Sequence, residues 1–110
     1  MSTEVALVTG GAGGLGSAVC RQLAARGWAV GVADLSSEGA RAVAGACGST
    51  AFAITVDLAS ADGPARIVEE TVRRTGRLDV LVNCAAVAPV EAFLTMTAAR
   101  LNVTGGLDKD

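Results

Sequence analysis

No tyrosine and no histidine occur among the 110 residues of this chain, and Lys109 is its one lysine. Those absences remove the imidazole as proton shuttle or metal ligand, and the phenol as general acid or base. Aromatic residues make up 3% of the sequence, and prolines number 2. The three cysteines, Cys20, Cys47 and Cys84, form an odd set without Cys-x-x-Cys spacing. With no histidine to complete a site, they make neither a zinc set nor a disulfide framework. They read as reduced thiols of a cytoplasmic protein. The N-terminal Met1-Ser2-Thr3-Glu4 has no basic region, and the apolar run behind it is too short for a signal peptide. No stretch reaches the ~18 apolar residues of a membrane span. A net charge of −2 makes no electrostatic case for binding nucleic acid or an anionic membrane.

What remains is a chain that is 51% hydrophobic, mostly Ala, Val and Leu, which suits helices packed closely on a parallel sheet. Its length allows one domain at most. Strand and helix patterns alternate. The first strand runs from Val5 to Thr9 and the first helix from Gly14 to Arg26, with Leu15, Val19 and Leu23 on one face and Gly27 at its C′ position. The second strand, Trp28 to Asp34, leads to a helix over Ser37 to Cys47, capped by Ser36 or Ser37 and weakened by Gly39 and Gly45. The third strand spans Ala51 to Val56. Ser60 then caps a helix over Ala61 to Thr75, whose Asp62–Arg66, Glu69–Arg73 and Glu70–Arg74 pairs mark a solvated face. The fourth strand is Asp79 to Val82, followed by a loop over Ala85 to Pro89, a helical pattern over Glu91 to Leu101, and an irregular C-terminal part over 91–110.

This alternation implies an α/β fold: a doubly wound parallel sheet of Rossmann type, truncated, with strand order 3-2-1-4 and right-handed crossovers. The return from the third strand to the fourth passes over the first, so the third helix lies opposite the first two. Ligands of such sheets bind at the carboxyl ends of the strands, beside the point where the strand order reverses. Gly10, Asp34, Asp57 and Asn83 each stand at the end of a strand.

Thr9-Gly10-Gly11-Ala12-Gly13-Gly14-Leu15-Gly16 lies between the first strand and the first helix. It holds Gly11-x-Gly13-x-x-Gly16 and, overlapping it, Thr9-Gly10-x-x-x-Gly14-x-Gly16. A turn without Cβ atoms approaches a pyrophosphate closely, and the helix behind it presents free N–H groups and the positive end of its dipole. Asp34 follows Gly16 by 18 residues, where an acid accepts hydrogen bonds from the adenosine ribose. A carboxylate there repels a 2′-phosphate, and neither Leu35 nor Ser36 supplies a cation, so NAD is preferred over NADP.

Thr9-Gly10-x-x-x-Gly14-x-Gly16, Asp34, Asp57-Leu58 and Asn83-Cys84-Ala85-Ala86, in this order and at these separations, resemble the short-chain dehydrogenase/reductase family. The resemblance spans residues 4 to about 90. It implies that Thr9, Gly10, Gly14, Leu15 and Gly16 form the cofactor turn and that Asp34 and Leu35 meet the adenosine ribose. Asp57 with Leu58 would contact the adenine, and Asn83 would brace the central sheet, with Ala85 and Ala86 beside the cofactor. The Asn83-Cys84-Ala85 segment is similar to that of NAD-dependent members acting on hydroxyacyl thioesters or hydroxysteroids.

The chain departs from that family in two ways. Ala86 stands where the family has Gly. The family's Ser and Tyr-x-x-x-Lys set has no counterpart, since Gly105 stands four residues before Lys109. Asn102-Val103-Thr104-Gly105 resembles the family's Asn-x-hydroxyl-Gly segment, which makes Asn102 the one catalytic candidate. The expected function is the NAD-binding portion of an oxidoreductase that passes hydride between a secondary alcohol or ketone and NAD. That portion is inactive without a catalytic half. The alternatives are a non-catalytic NAD-binding or partner-interaction module and a truncated product. An uncovered fourth strand further predicts self-association.

Overall fold

The computed structural model describes residues 3–84. Its elements are β1 (Val5–Thr9), α1 (Gly14–Ala25), β2 (Ala29–Asp34), α2 (Ser37–Cys47), β3 (Phe52–Thr55), α3 (Gly63–Thr75) and β4 (Val80–Asn83). The strands form one parallel sheet in the order β3-β2-β1-β4. The expected helix over Glu91 to Leu101 and the C-terminal part over 91–110 lie outside the described residues.

β1 is central, and all five of its residues are buried. On one face of the sheet Val8, Val30 and Val32 pack with Cys20 of α1 and Ala40, Val43 and Ala44 of α2. On the other, Leu7, Ala33, Ile54 and Val56 pack with Ile67 of α3. Strand side chains alternate between faces, so neighbouring Leu7 and Val8 serve opposite layers. The doubly wound arrangement expected from the crossover order follows from that alternation.

The bounds of β1 and α2 match the sequence reading, and α1 ends in a Schellman turn. Gly27 (φ 91°) donates its N–H to Ala24 O, and Trp28 N–H donates to Leu23 O. Other expectations shift. The inward face of α1 is centred on Gly16 and Cys20, one position round from the Leu15–Val19–Leu23 stripe, and Leu15 is 55% exposed. Gly16 and Cys20 carry the smaller side chains, which let the helix axis approach the sheet. β2 starts at Ala29 rather than Trp28, because Trp28 N–H is spent on the helix end. β3 is shorter than Ala51 to Val56.

α3 starts at Gly63 rather than Ala61, and Ser60 does not cap it. Ser60 instead closes a tight turn, its Oγ donating to Asp57 O at 2.7 Å. The helix begins where Pro64 fits the first turn, a place that needs no backbone N–H. A Cβ on Gly63 would stand 2.5 Å from Asp57 O, so the strand-to-helix turn requires glycine. Gly63, Ile67 and Thr71 form the buried stripe of α3. Thr71 satisfies its buried hydroxyl by donating to Ile67 O at 2.7 Å. Of the three expected ion pairs on the outer face, Glu70–Arg74 closes, at 3.2 Å, and the Arg74 guanidinium also lies 5.2 Å from the Phe52 ring centre.

Cys20, Cys47 and Cys84 are free thiols. Burial pushes Cys20 up to about 12, and pushes Cys47 and Cys84 in the same direction. The Arg21 guanidinium pulls Cys20 and Cys47 the other way, but burial outweighs it, so neither is poised as a reactive thiolate.

Asp79 precedes β4 rather than opening it. Its carboxylate accepts Nε and Nη2 of Arg77 at 2.9 and 2.7 Å, and the Val5 N–H at 2.8 Å. The entrances of β1 and β4 are thereby joined. The Arg77 hydrogen bonds, followed by the Val5 N–H, hold the Asp79 carboxyl below its usual range. A depressed folded value makes this tie stabilising above the ordinary carboxyl pKa of ~3.9, and the contribution is lost as pH falls through the folded value. Asp79→Ala should therefore lower the melting temperature at neutral pH. The gap from wild type should narrow as pH falls below ~4. A gap independent of pH would show that the carboxylate's charge does not make the tie.

Candidate functional site

The carboxyl ends of the four strands share one edge of the sheet. Thr9 is in register with Ala33 on one side and Asn83 on the other, and Asp34 is in register with Thr55. The ladder runs slightly past the strands. Gly11 N–H donates to Ala33 O, Val56 N–H to Asp34 O and Cys84 N–H to Thr9 O. Gly10, Asp34, Asp57 and Asn83 are thus brought to one rim. The chain reverses its direction of travel across the sheet between β1 and β4, where α1 and α3 lie on opposite faces. A doubly wound sheet opens its binding crevice at such a point.

The glycines of the turn do different work. Gly10 has φ 66°, a left-handed conformation that favours glycine. A Cβ on Gly11 would sit 2.7 Å from Val32 Cγ1, and one on Gly16 would collide with the Gly10 carbonyl. These three positions are set by the protein's own packing. Gly14 is exposed, and a Cβ there would meet nothing within 4 Å. No contact within the described chain demands a glycine at that position.

The N-terminus of α1 differs from that of α2. Ser36 Oγ caps α2 by accepting from Gly39 N–H at 3.0 Å, and Glu38 lies in its first turn. Gly13 at the head of α1 offers no side-chain cap, and no acid lies in the first turn. Among the described residues, neither the cap nor the first turn of α1 supplies a side chain to the positive end of its dipole beside the open Gly14 position, an arrangement suited to an anion.

Asp34 is half-buried at the end of β2. Its Oδ2 accepts Ala12 N–H and its Oδ1 accepts Ser36 N–H, each at 3.0 Å. Leu35 beside it is 70% exposed. Asp57 is exposed, its Oδ1 accepting Ala59 N–H at 2.9 Å in a local turn, and Leu58 is half-buried. Asn83 is buried and its Oδ1 accepts the Thr9 hydroxyl at 2.6 Å, tying the last residue of β4 to that of β1. Ala85, Ala86 and Asn102 lie outside the described residues.

The sequence reading missed Ala12 and Gly39. Ala12 supplies the N–H that Asp34 holds, and a Cβ on Gly39 would come within 2.9 Å of the Ala12 Cβ. The glycine that weakens α2 as a helix is the one that lets α2 pack on the turn. A poor helix former in the first turn of a helix was its only trace in the sequence. Elsewhere, a groove of about 270 Å³ lies along α1 between Ala18, Val19, Gln22, Leu23 and Arg26. It is lined by one helix, away from the strand ends. Among the described residues no group of metal-ligating side chains gathers, and no helix is long and apolar enough to cross a membrane.

Known proteins resemble this chain in sequence and in fold. The chain is 40% identical over 97 residues to the uncharacterized oxidoreductase YuxG of Bacillus subtilis, covering 84% of this chain and 14% of that protein. It is 38% identical over 101 residues to acetoacetyl-CoA reductase of Allochromatium vinosum, covering 87% of this chain and 41% of the reductase. Among solved structures, 3-ketoacyl-(acyl-carrier-protein) reductase from Brucella melitensis, complexed with NADH, superposes with a TM-score of 0.70 at 28% identity. The match covers 96% of this chain and 46% of that one. The chain thus spans less than half the length of each of these relatives. The profile of the short chain dehydrogenases matches residues 4–104, and the chain belongs to that oxidoreductase family.

Proposed function

We propose that residues 3–84 form the NAD-binding part of an oxidoreductase that passes hydride between a secondary alcohol or ketone and the nicotinamide ring. The observation that carries this reading is the open, exposed Gly14 at the uncapped head of α1. A glycine that nothing among the described residues requires, beside unspent helix N–H groups, fits the close approach of a pyrophosphate. The residues present fit the rest of a dinucleotide. Asp34 has two backbone N–H groups on its carboxylate, and two of its roughly four lone-pair sites remain for ribose hydroxyls. Leu35 follows Asp34, and Asp57 with Leu58 follows the neighbouring β3; the leucines would offer apolar surface to the adenine and Asp57 an acceptor to its amino group.

Each of these groups binds or orients. Thr9 and Asn83 hold the rim of the switch point together, and the turn amides receive the anion. The nicotinamide supplies hydride chemistry when bound. The sequence holds no Tyr to move the accompanying proton, so these residues account for cofactor recognition. The CoA and acyl-carrier-protein thioesters in the names of two relatives support a β-hydroxyacyl or β-ketoacyl thioester as substrate class. The Asp34 carboxylate, with no cation at Leu35 or Ser36, favours NAD over NADP by repelling a 2′-phosphate.

Calorimetric titration of the 110-residue chain tests the reading: saturable binding of NAD is expected, with NADP at least tenfold weaker. Gly14→Ala should keep the wild-type melting temperature or raise it, since Ala favours a helix by up to ~1 kcal/mol. It should weaken NAD by about tenfold or more, a change of ~1.4 kcal/mol. Gly16→Ala should lower stability by ~1–3 kcal/mol through its clash with the Gly10 carbonyl. Wild-type chain that melts cooperatively yet binds neither nucleotide would contradict the proposal.

A further inference from the structure

Asp34 is placed to do more than meet a ribose. Its backbone is pinned in the sheet, where its carbonyl accepts Val56 N–H at 3.0 Å. Its side chain reaches out of the sheet to Ala12 N–H in the middle of the glycine turn, and to Ser36 N–H at the head of α2. Ser36 continues the chain of bonds by accepting Gly39 N–H on its Oγ. Gly39 closes the circuit sterically, since its missing Cβ is what lets α2 lie against Ala12. The glycine turn, the end of β2 and the first turn of α2 are therefore joined through one carboxylate.

This linkage matters because the other described bonds on the turn join backbone to backbone. Its glycines have the greatest backbone freedom of any residue. The described ties on Gly10–Gly13 are the Gly11 N–H to Ala33 O, the Gly13 N–H to Gly10 O, the Ser17 N–H to Gly13 O and the Ala12 N–H to Asp34. Of these, the Asp34 bond is the one made by a side chain. It acts at Ala12, two residues after the left-handed Gly10 and one before the helix cap at Gly13.

We propose that Asp34 is the positioning residue of the phosphate-facing turn, so that one side chain both orders that turn before any ligand arrives and selects the ribose. The second half of this statement rests on the nucleotide-binding reading above; the first does not. A carboxylate has enough acceptor sites to hold both N–H groups and still receive ribose hydroxyls. Removing it would thus do two things at once. The repulsion of a 2′-phosphate would vanish, but the turn that receives the pyrophosphate would lose its order. A binding site that must first be ordered loses affinity in proportion to the time it spends disordered. Loss of Asp34 should then weaken NAD without creating a site for NADP.

Two variants separate these effects. Asp34→Ala removes both acceptors. Asp34→Asn keeps the shape and one acceptor oxygen, so it retains one of the two backbone bonds while losing the charge. Amide hydrogen exchange is read first, on ligand-free full chain. In Asp34→Ala the Ala12 amide should exchange about fivefold faster or more, as befits the loss of one hydrogen bond. The Leu7 and Val30 amides should keep their protection, showing that the sheet is intact. Asp34→Asn should fall between wild type and Asp34→Ala. Titrations with NAD and with NADP follow. Asp34→Ala should weaken NAD about tenfold or more with no gain for NADP. Asp34→Asn should narrow the preference for NAD with a smaller loss of NAD affinity.

The proposal is overturned if the Ala12 amide exchanges at the wild-type rate in Asp34→Ala. It is equally overturned if that variant gains NADP affinity as it loses NAD affinity, which is the behaviour of a side chain that only meets the ribose. Exchange is measured without nucleotide. Faster Ala12 exchange in a chain whose wild type binds neither nucleotide would therefore support the tie while contradicting the NAD-binding reading.

Discussion

The fold turns on one close approach, where the backbone of α1 at Gly16 lies against the carbonyl of Gly10. No side chain fits between them. Because the helix crosses the end of β1 at that distance, Cys20 can reach the sheet and join Val8, Val30 and Val32 in the core. The same crossing leaves the head of α1 facing the rim of the sheet rather than its face. A bulkier residue at Gly16 would push the helix outward, part its inward face from the sheet and move its amides off the rim. Packing and recognition thus rest on the same steric condition.

From this point the rim is assembled by short polar ties. Thr9 and Asn83 join the ends of β1 and β4, and Asp34 joins the end of β2 to the turn. At the opposite end of the sheet, Asp79 gathers Val5 and Arg77 where β1 and β4 begin. The central strand is therefore held to β4 at both ends by side chains as well as along its length by the ladder. β4 is joined to β1 along one edge, and among the described residues it is an outer strand of the sheet. Apolar burial supplies most of the driving force for such a layered domain, while these ties specify the register that brings the strand ends together.

Much of this was legible in the sequence because the signals are local. Apolar runs ending in Thr9, Asp34 and Asn83 announced parallel strands, and Gly27 announced the end of α1. The strand order followed from the handedness of crossovers. The misreadings came where a residue's role depends on a distant partner. Ser60 has the chemistry of a cap but is drawn to Asp57 O, and Asp79 has the place of a strand residue but is held by Arg77 and Val5. Leu15 fits a helical stripe, yet the smaller Gly16 and Cys20 face the sheet. The bond between Asp34 and Ala12 crosses 22 residues and uses a backbone group, so no residue type betrays it. Gly39 looked like a weakness of α2 until the position of Ala12 gave it a reason.

The central claim is that a dinucleotide lies along this rim. The most direct measurement is residue-resolved amide NMR of the 110-residue chain as NAD is added. The account predicts saturable shifts at Ala12 to Gly16, at Asp34 and Leu35, and at Asp57 and Leu58. The outer residues of α1 from Ala18 to Arg26 should stay still. Shifts confined to that α1 groove, or none at the glycine turn at saturating NAD, would contradict it.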